Sequence, residues 1–273
     1  MTLREAAELL RRAGVENPCA DAGILLSELC GIPKERLPFS ADEEFDNPEF
    51  RDAVKRRAKR EPLQYILGRW WFWGNEFYVS PDCLIPRPET EMLVELAVKR
   101  IPAGGKLLDL CTGSGCVALS VLRDREDVSA LAADISAAAL SVAGKNSEKL
   151  RVSDRVQFVL ADVTSDVPGE LGDGLYDVIL ANPPYISATE MTELEPELRF
   201  EPEIALTDGG DGMSVVRGIL VHYTSLLRDG GVIAIEIGSR AGEAALAEGL
   251  RTGLSCKILR DYAGLDRVLV CEK

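Results

Sequence analysis

The chain has 273 residues, roughly twice a typical domain, so two domains or one large α/β domain is expected. Hydrophobic residues at 46% and charged residues at 28% exclude a disordered polymer and fit a soluble globular protein. Against 45 Asp and Glu there are only 31 Lys and Arg, and the resulting charge of −14 at pH 7 repels phosphate backbones. A broad electrostatic grip on nucleic acid is therefore not expected, although a net charge does not register a local basic patch. No stretch approaches the roughly 18 apolar residues of a membrane span, and Met1-Thr2-Leu3-Arg4-Glu5 is unlike a secretory signal. Seven cysteines form no CxxC pair, and His222 is the only histidine. No metal is therefore expected, and no Ser-His-Asp triad unless His222 belongs to it. Cys111, Cys116 and Cys271 lie in apolar runs and read as reduced, buried thiols in a cytoplasmic protein.

Residues 1–68 read as helical. Thr2-Leu3-Arg4-Glu5 fits a capping box, followed by apolar residues at Ala6, Leu9, Leu10 and Ala13. A second helix is predicted over 19–29, ended by Gly31 and Pro33, and a third over 48–60. The third carries Arg51, Lys55, Arg56, Arg57, Lys59 and Arg60, which form either a solvated face or a surface for an acidic partner or a second domain. From 64 to 79 the chain turns aromatic and holds all three tryptophans, with Gly74-Asn75 suggesting a hairpin turn. This segment is either a packed wedge between domains or a binding surface. Pro81, Pro86 and Pro88 then stiffen a linker ahead of a helix from about Thr90.

Beyond residue 104 short apolar strands alternate with helices. Strands are expected at 106–110, 128–133, 156–160, 176–180, 231–237, 256–259 and 267–271, and helices at 116–122, 137–150 and 241–250. Such alternation predicts a mostly parallel sheet covered on both faces, and the closing pair of strands predicts an antiparallel edge.

Four elements at predicted strand ends carry chemistry. Cys111-Thr112-Gly113-Ser114-Gly115 leaves the first of these strands and opens a helix, where free backbone N–H groups meet a ligand. It is neither a Walker loop nor a full GxGxxG, because Ala118 takes the place of the third glycine. Asp134, 19 residues after Gly115, suits hydrogen bonds to two ribose hydroxyls. Asp162 ends the third strand, where it can accept from an exocyclic adenine amine while Val163 covers the ring. Taken singly each acid is more often a helix cap or a turn residue, but three ordered strand ends together favour an adenosine-bearing cofactor. The fourth element is Asn182-Pro183-Pro184-Tyr185. The Asn182 side-chain carbonyl and the Pro183 backbone carbonyl form two acceptors for a planar –NH2 group, and Tyr185 lies against its conjugated face. Holding a poorly nucleophilic nitrogen in line with an electrophilic methyl supplies rate through orientation, and the acceptors favour charge developing on nitrogen. Together the four elements read as a nitrogen methyltransferase using S-adenosylmethionine, with His222 a bystander on a helix.

The motifs also resemble a known family, the protein-(glutamine-N5) methyltransferases that modify peptide chain release factors. The resemblance covers nearly the whole chain. It includes Pro62-Leu63-Gln64-Tyr65-Ile66-Leu67-Gly68, Leu84-Ile85-Pro86-Arg87-Pro88-Glu89-Thr90-Glu91, Asn182-Pro183-Pro184-Tyr185-Ile186, Arg199-Phe200-Glu201-Pro202 and Arg260-Asp261-Tyr262-Ala263-Gly264. It implies an α/β fold, namely a seven-stranded Rossmann-like methyltransferase domain with a small helical N-terminal domain joined by a β-hairpin. The corresponding boundaries are 1–68 for substrate docking, 69–90 for the hairpin and linker, and 91–273 for methyl transfer. Carried over by motif, cofactor contacts fall on Cys111, Thr112, Gly113, Ser114, Gly115, Asp134, Asp162, Val163 and Asn182. Substrate contacts fall on Asn182, Pro183, Pro184 and Tyr185, with Asn182, Pro183 and Tyr185 catalytic. Cys111 replaces the family's usual glycine, and Val163 an aromatic of some members; both are expected to weaken cofactor binding. The implied substrate is the glutamine of a release factor's Gly-Gly-Gln loop, approached by a monomer that binds neither nucleic acid nor membrane.

Alternatives are glutamine methylation of a ribosomal protein, adenine-N6 methylation of nucleic acid, or a cofactor-binding regulator without catalysis. Arg87 and Glu91 either shape the pocket lip or form an inter-domain ion pair. Phe200-Glu201-Pro202 is either part of a lid over the glutamine or a helix-entry turn.

Overall fold

Residues 1–172 and 174–273 are described by a computed structural model, in which the chain divides into two units. The first comprises Met1–Arg69 with Glu195–Phe200, the second Trp70–Leu194 with Glu201–Lys273.

In the first unit, α1 (Leu3–Arg12) opens on the capping box, with Thr2 Oγ1 accepting from the Glu5 N–H at 3.1 Å and Glu5 Oε2 accepting from the Thr2 N–H at 2.8 Å. The second helix, α2 (Pro18–Cys30), stops at Gly31, whose φ of 67° ends it in the left-handed region. Asn47 caps α3 (Pro48–Ala58) by accepting from the N–H groups of Glu49 and Phe50, and α4 (Leu63–Leu67) follows. The first three helices pack on one another around the fully buried Ala6, Leu10, Leu25, Leu26, Phe50 and Val54. Much of the basic run of α3 is paired within this unit rather than left as a solvated face. Arg57 donates to Asp21 at 2.7 Å and to Glu197 at 2.8 Å, Arg60 grips the same Glu197 through two bonds of 2.6 Å, and Arg56 pairs with Glu61.

A hairpin follows, of β1 (Arg69–Phe72) and β2 (Asn75–Tyr78), and from Trp70 onward it belongs to the second unit. Its turn lies one residue earlier than the Gly74-Asn75 pair suggested, at Trp73 and Gly74, with φ of 49° and 69°. Two positive φ angles in succession match the right-handed strand twist, and a bulky residue adopts one here because three hydrogen bonds hold it. The Trp73 N–H donates to Glu91 at 2.7 Å, its indole N–H to Asp124 at 2.7 Å, and its carbonyl accepts from Asn75 at 2.9 Å. Phe72 and Phe77 meet edge to face at 6.1 Å inside the core of this unit, so the hairpin is built into that core.

The chain continues through α5 (Glu91–Arg100), β3 (Lys106–Leu110), α6 (Cys116–Asp124), β4 (Ser129–Asp134), α7 (Ala137–Leu150) and β5 (Val156–Leu160). It closes with α8 (Gly169–Gly172), β6 (Tyr176–Ala181), α9 (Glu203–Leu206), α10 (Ser214–Tyr223), β7 (Leu227–Glu236), α11 (Gly242–Arg251), β8 (Ser255–Arg260) and β9 (Asp266–Glu272). Seven strands form one sheet in the order β5-β4-β3-β6-β7-β9-β8, parallel except for β9, which runs antiparallel to both neighbours. Alternate side chains enter opposite cores, as a period of two requires. Leu107, Ala132, Leu180 and Ala234 pack with residues of α5 and α6, while Leu108, Ala133, Ile179 and Ile235 pack with Val216, Ile219 and Tyr223 of α10.

One cysteine departs from expectation. Cys271 is not a reduced thiol but forms a disulfide with Cys256, which stands opposite it in the β8–β9 register with the Cα atoms 4.1 Å apart. Strand pairing, invisible in a separation of 15 residues, brings the two together.

Candidate active site at the strand ends

From β3 the chain builds outward to β4 and β5, then returns to the other side of β3 with β6 and β7. Loops leaving the carboxyl ends of β3 and β6 thus diverge at a switch point, where open α/β sheets place their ligands. A cavity of about 350 Å³ lies there, within the range of small-molecule sites.

Its floor is the loop after β3. Asp109 is buried beneath it and accepts from the Thr112 hydroxyl at 2.6 Å and from the Ala118 N–H at 3.3 Å; burial pushes its carboxyl up to about 7. Cys111 stands at φ 57°, a region costly for a residue with a Cβ. Burial, then the nearby acids Asp134, Asp109 and Asp162, hold its thiol well above the usual value, so it remains neutral and is no nucleophile. At Gly115, φ is 79°, and a Cβ would sit 2.9 Å from Leu119 Cδ1 and 3.1 Å from Ala143 Cβ. This glycine therefore permits both the turn and the close packing of α6 on α7.

Asp134 ends β4 and ties this loop to the start of α7, accepting from the Gly113 N–H at 2.8 Å and from the Ser136 N–H at 2.9 Å. Burial raises its carboxyl above the ordinary range, and a carboxylate with about four acceptor positions keeps capacity for a ligand. Asp162, beyond β5, is more exposed. The Thr164 hydroxyl and N–H donate to its Oδ1 at 2.7 and 2.9 Å and hold its carboxyl below the usual value. Val163 beside it is buried and lines the cavity.

The fourth element follows β6. Asn182 Nδ2 donates to Thr90 Oγ1 at 3.1 Å, leaving Asn182 Oδ1 as an acceptor at the cavity edge. Cys111, Thr112, Gly113, Ser114, Asp134, Asp162, Val163, Asn182 and Pro184 all line the one cavity. Three other residues singled out in the sequence do not. Gly115 is buried behind the loop, Pro183 is buried, and Tyr185 turns its hydroxyl to Glu236 Oε1 at 3.2 Å. Burial, reinforced by that carboxylate, pushes the Tyr185 phenol above its ordinary value.

The roles of four further residues do not follow from the sequence, Glu201 among them, which the sequence reads only within a lid or a helix-entry turn. Thr90 was read only as a helix start, yet it is the partner of Asn182. Glu236, the last residue of β7, is 1% exposed. Asp208 lines the cavity and accepts from Gly210, Gly212 and Ser214, a turn pattern that its Asp-Gly-Gly-Asp-Gly context signals. Glu201 is buried, accepts from the Ile85 N–H at 2.9 Å and pairs with Arg87. It thereby clips together the segments that carry the cavity-lining Pro86 and Pro202. Arg87 is thus committed to a pair inside the second unit, and Glu91 to the Trp73 N–H, so neither serves as an inter-domain bridge.

The residues fit an adenosine-bearing methyl donor: a glycine-containing loop, two strand-end acids, and apolar walls at Val117, Ala139 and Val163. Comparison with known proteins points the same way. A family model described as the PrmC N-terminal domain matches residues 2–68, and one described as the methyltransferase small domain matches residues 88–234. A release factor glutamine methyltransferase of Cereibacter sphaeroides is 39% identical over 273 residues, covering 98% of this chain and 95% of that protein. The one from Neisseria gonorrhoeae is 40% identical over 257 residues, covering 92% of each. Among solved structures, the catalytic domain of hMettl16 in complex with a MAT2A 3'UTR hairpin superposes with a TM-score of 0.61 at 17% identity, covering 81% of this chain and 80% of that one. That likeness concerns the fold alone. Similarity of this extent along the whole chain, together with the Rossmann-like sheet, places it plainly: the chain belongs to the release factor glutamine methyltransferase family.

Proposed function

We propose that this protein methylates the side-chain amide nitrogen of a glutamine in peptide chain release factors, the glutamine of their Gly-Gly-Gln loop. The carrying observation is Asn182: its Nδ2 is committed to Thr90, so the oxygen is left to accept at the edge of the cavity. S-adenosylmethionine, bound in that cavity, supplies a methyl made electrophilic by its sulfonium. Of the residues that line it, Asp134 would take the ribose hydroxyls, Asp162 the adenine amine, and the loop from Cys111 to Ser114 the remainder. At the acceptor, Asn182 Oδ1 and the Pro183 carbonyl grip the two hydrogens of the glutamine –NH2. This orients the nitrogen and favours the positive charge that develops on it as the N–C bond forms and the S–C bond breaks. The nitrogen then sheds a proton and remains an amide.

Adenine-N6 methylation is disfavoured by the charge of −14, and neither it nor a ribosomal protein substrate matches the names of the relatives. The direct test supplies labelled S-adenosylmethionine with a release factor and with the same factor carrying alanine for its Gly-Gly-Gln glutamine. Label is expected in the first only. Label in both, or only in ribosomal protein or nucleic acid, would overturn the assignment.

Asp134→Ala is expected to weaken S-adenosylmethionine binding by about 1–3 kcal/mol, the cost of losing hydrogen bonds to a charged group. Loosening of the Gly113 loop adds to the effect, since the same carboxylate holds its N–H. Unchanged affinity by calorimetry would remove Asp134 from the site.

A further inference from the structure

We propose that Gly212 is a positioning residue for methyl transfer: having no side chain, it lets a turn built on Asp208 bear directly on the Tyr185 carbonyl, which fixes the Asn182–Tyr185 element against the methyl donor. This rests on the role given above to Asn182 and Pro183 as holders of the substrate amide. Between those two acceptors and Tyr185 the chain has little freedom. Pro183 and Pro184 each lock φ at about −65°, and a residue ahead of a proline is confined to extended conformations. An element so constrained moves nearly as one body. A displacement at Tyr185 therefore reaches the Pro183 carbonyl and Asn182.

One end of this body is fixed by the sheet, where Ala181 pairs with Leu110 of β3 and with Ile235 of β7. The other end is fixed by the segment 206–212. The Ile186 N–H donates to the Leu206 carbonyl and the Ala188 N–H to the Gly210 carbonyl, both at 2.9 Å. Asp208 stiffens that segment, because its carboxylate collects four donors. Its Oδ1 accepts from the Gly210 N–H at 2.8 Å and the Gly212 N–H at 3.0 Å. Its Oδ2 accepts from the Ser214 N–H at 2.9 Å and the Ser214 hydroxyl at 2.6 Å. Ser214 opens α10, whose Val216 and Ile219 are fully buried, so the turn rests on a packed helix. Gly212 stands where the two segments close on each other. Its φ is 77°, and a Cβ there would fall 2.2 Å from the Tyr185 carbonyl oxygen and 3.0 Å from the carbonyl carbon. No side chain enters unless the segments part.

The same turn supplies its own control. Gly209 has a φ of 72°, yet an added Cβ there would meet nothing within 4 Å. Alanine at either position incurs a similar left-handed backbone cost, but only at 212 does the methyl meet the acceptor element. The difference between the two variants thus separates the contact with Tyr185 from strain in the turn. Gly212 does not itself line the cavity, whereas Asp208 and Ser214 do. Since the turn is the stiffer side, the acceptor element is what yields, and donor binding is spared.

The experiment uses the full-length enzyme with release factor and S-adenosylmethionine, at a temperature where urea unfolding shows each variant to be folded. Gly212→Ala is expected to lower kcat by on the order of 10- to 100-fold, the scale of a misplaced reacting group. Its KM for release factor and its affinity for S-adenosylmethionine should stay within about threefold. Gly209→Ala should lose stability as well but keep kcat within about twofold of the parent chain. Equal kcat in the two variants, or a Gly212→Ala loss confined to donor affinity, would overturn the proposal. If Gly212→Ala does not fold, Asp208→Asn decides in its place. Its –NH2 cannot accept from Ser214, so the turn loosens, and at saturating donor kcat is expected to fall by about 10-fold or more. A normal kcat in that variant would overturn the proposal. Asn182→Ala serves as the reference: normal turnover there would refute the role of Asn182 itself, whereas loss there with a normal Gly212→Ala enzyme would refute only the positioning.

Discussion

Asn182→Ala is expected to reduce methyl transfer by on the order of 10²–10³-fold, the typical loss when one preorganised polar partner of a transition state is removed. Affinity for S-adenosylmethionine should change far less, because the loop after β3, Asp134 and Asp162 remain in place. The reason lies in the acceptor. An amide nitrogen is delocalised and attacks a methyl poorly, so its orientation carries much of the rate. Alanine removes the oxygen that holds one N–H and also leaves the Thr90 hydroxyl without the Asn182 amide. Single-turnover kinetics and calorimetry on the same variant separate the two effects. Equal losses in transfer and in donor affinity would contradict the assignment.

Gly115→Ala carries the largest expected effect on stability, a loss of about 2–4 kcal/mol combining a left-handed backbone with overpacking. At φ 79° an added methyl sits 2.9 Å from Leu119 Cδ1 and 3.1 Å from Ala143 Cβ, so the buried Leu119 side chain and the contact of α6 with α7 must both shift to admit it. Cys111→Gly should act in the opposite direction. Its φ of 57° costs an L-residue roughly 1–2 kcal/mol, partly offset by the greater freedom glycine brings to the unfolded chain, so a gain within about 1 kcal/mol is expected. Urea unfolding of the two variants beside the parent chain measures both. A neutral Gly115→Ala would mean that the loop does not adopt this backbone.

Much of the architecture was legible because side-chain period and strand ends leave strong marks. The parallel strands after residue 104, their covering helices and the antiparallel edge follow from short apolar runs alternating with helical stripes. Cys111 to Ser114, Asp134, Asp162 and Asn182 converge on one cavity because a parallel sheet aligns its carboxyl ends, so sequence-distant loops become neighbours. The rest depends on relations that spacing does not encode. Trp73 takes the turn position usually given to asparagine or glycine because Glu91 and Asp124, remote in sequence, hold it. Cys256 and Cys271 meet only through strand register. In the sequence Thr90 is a helix start and Glu236 one residue within the strand 231–237; they become legible as partners of Asn182 and Tyr185 only through the contacts after β6.

The most direct test of the central claim is mass spectrometry of purified release factor after incubation with this protein and S-adenosylmethionine. A mass gain of one methylene, mapped by fragmentation to the Gly-Gly-Gln glutamine and absent with Asn182→Ala, is the predicted result. An unmodified glutamine, or a methyl found at another residue, would contradict it.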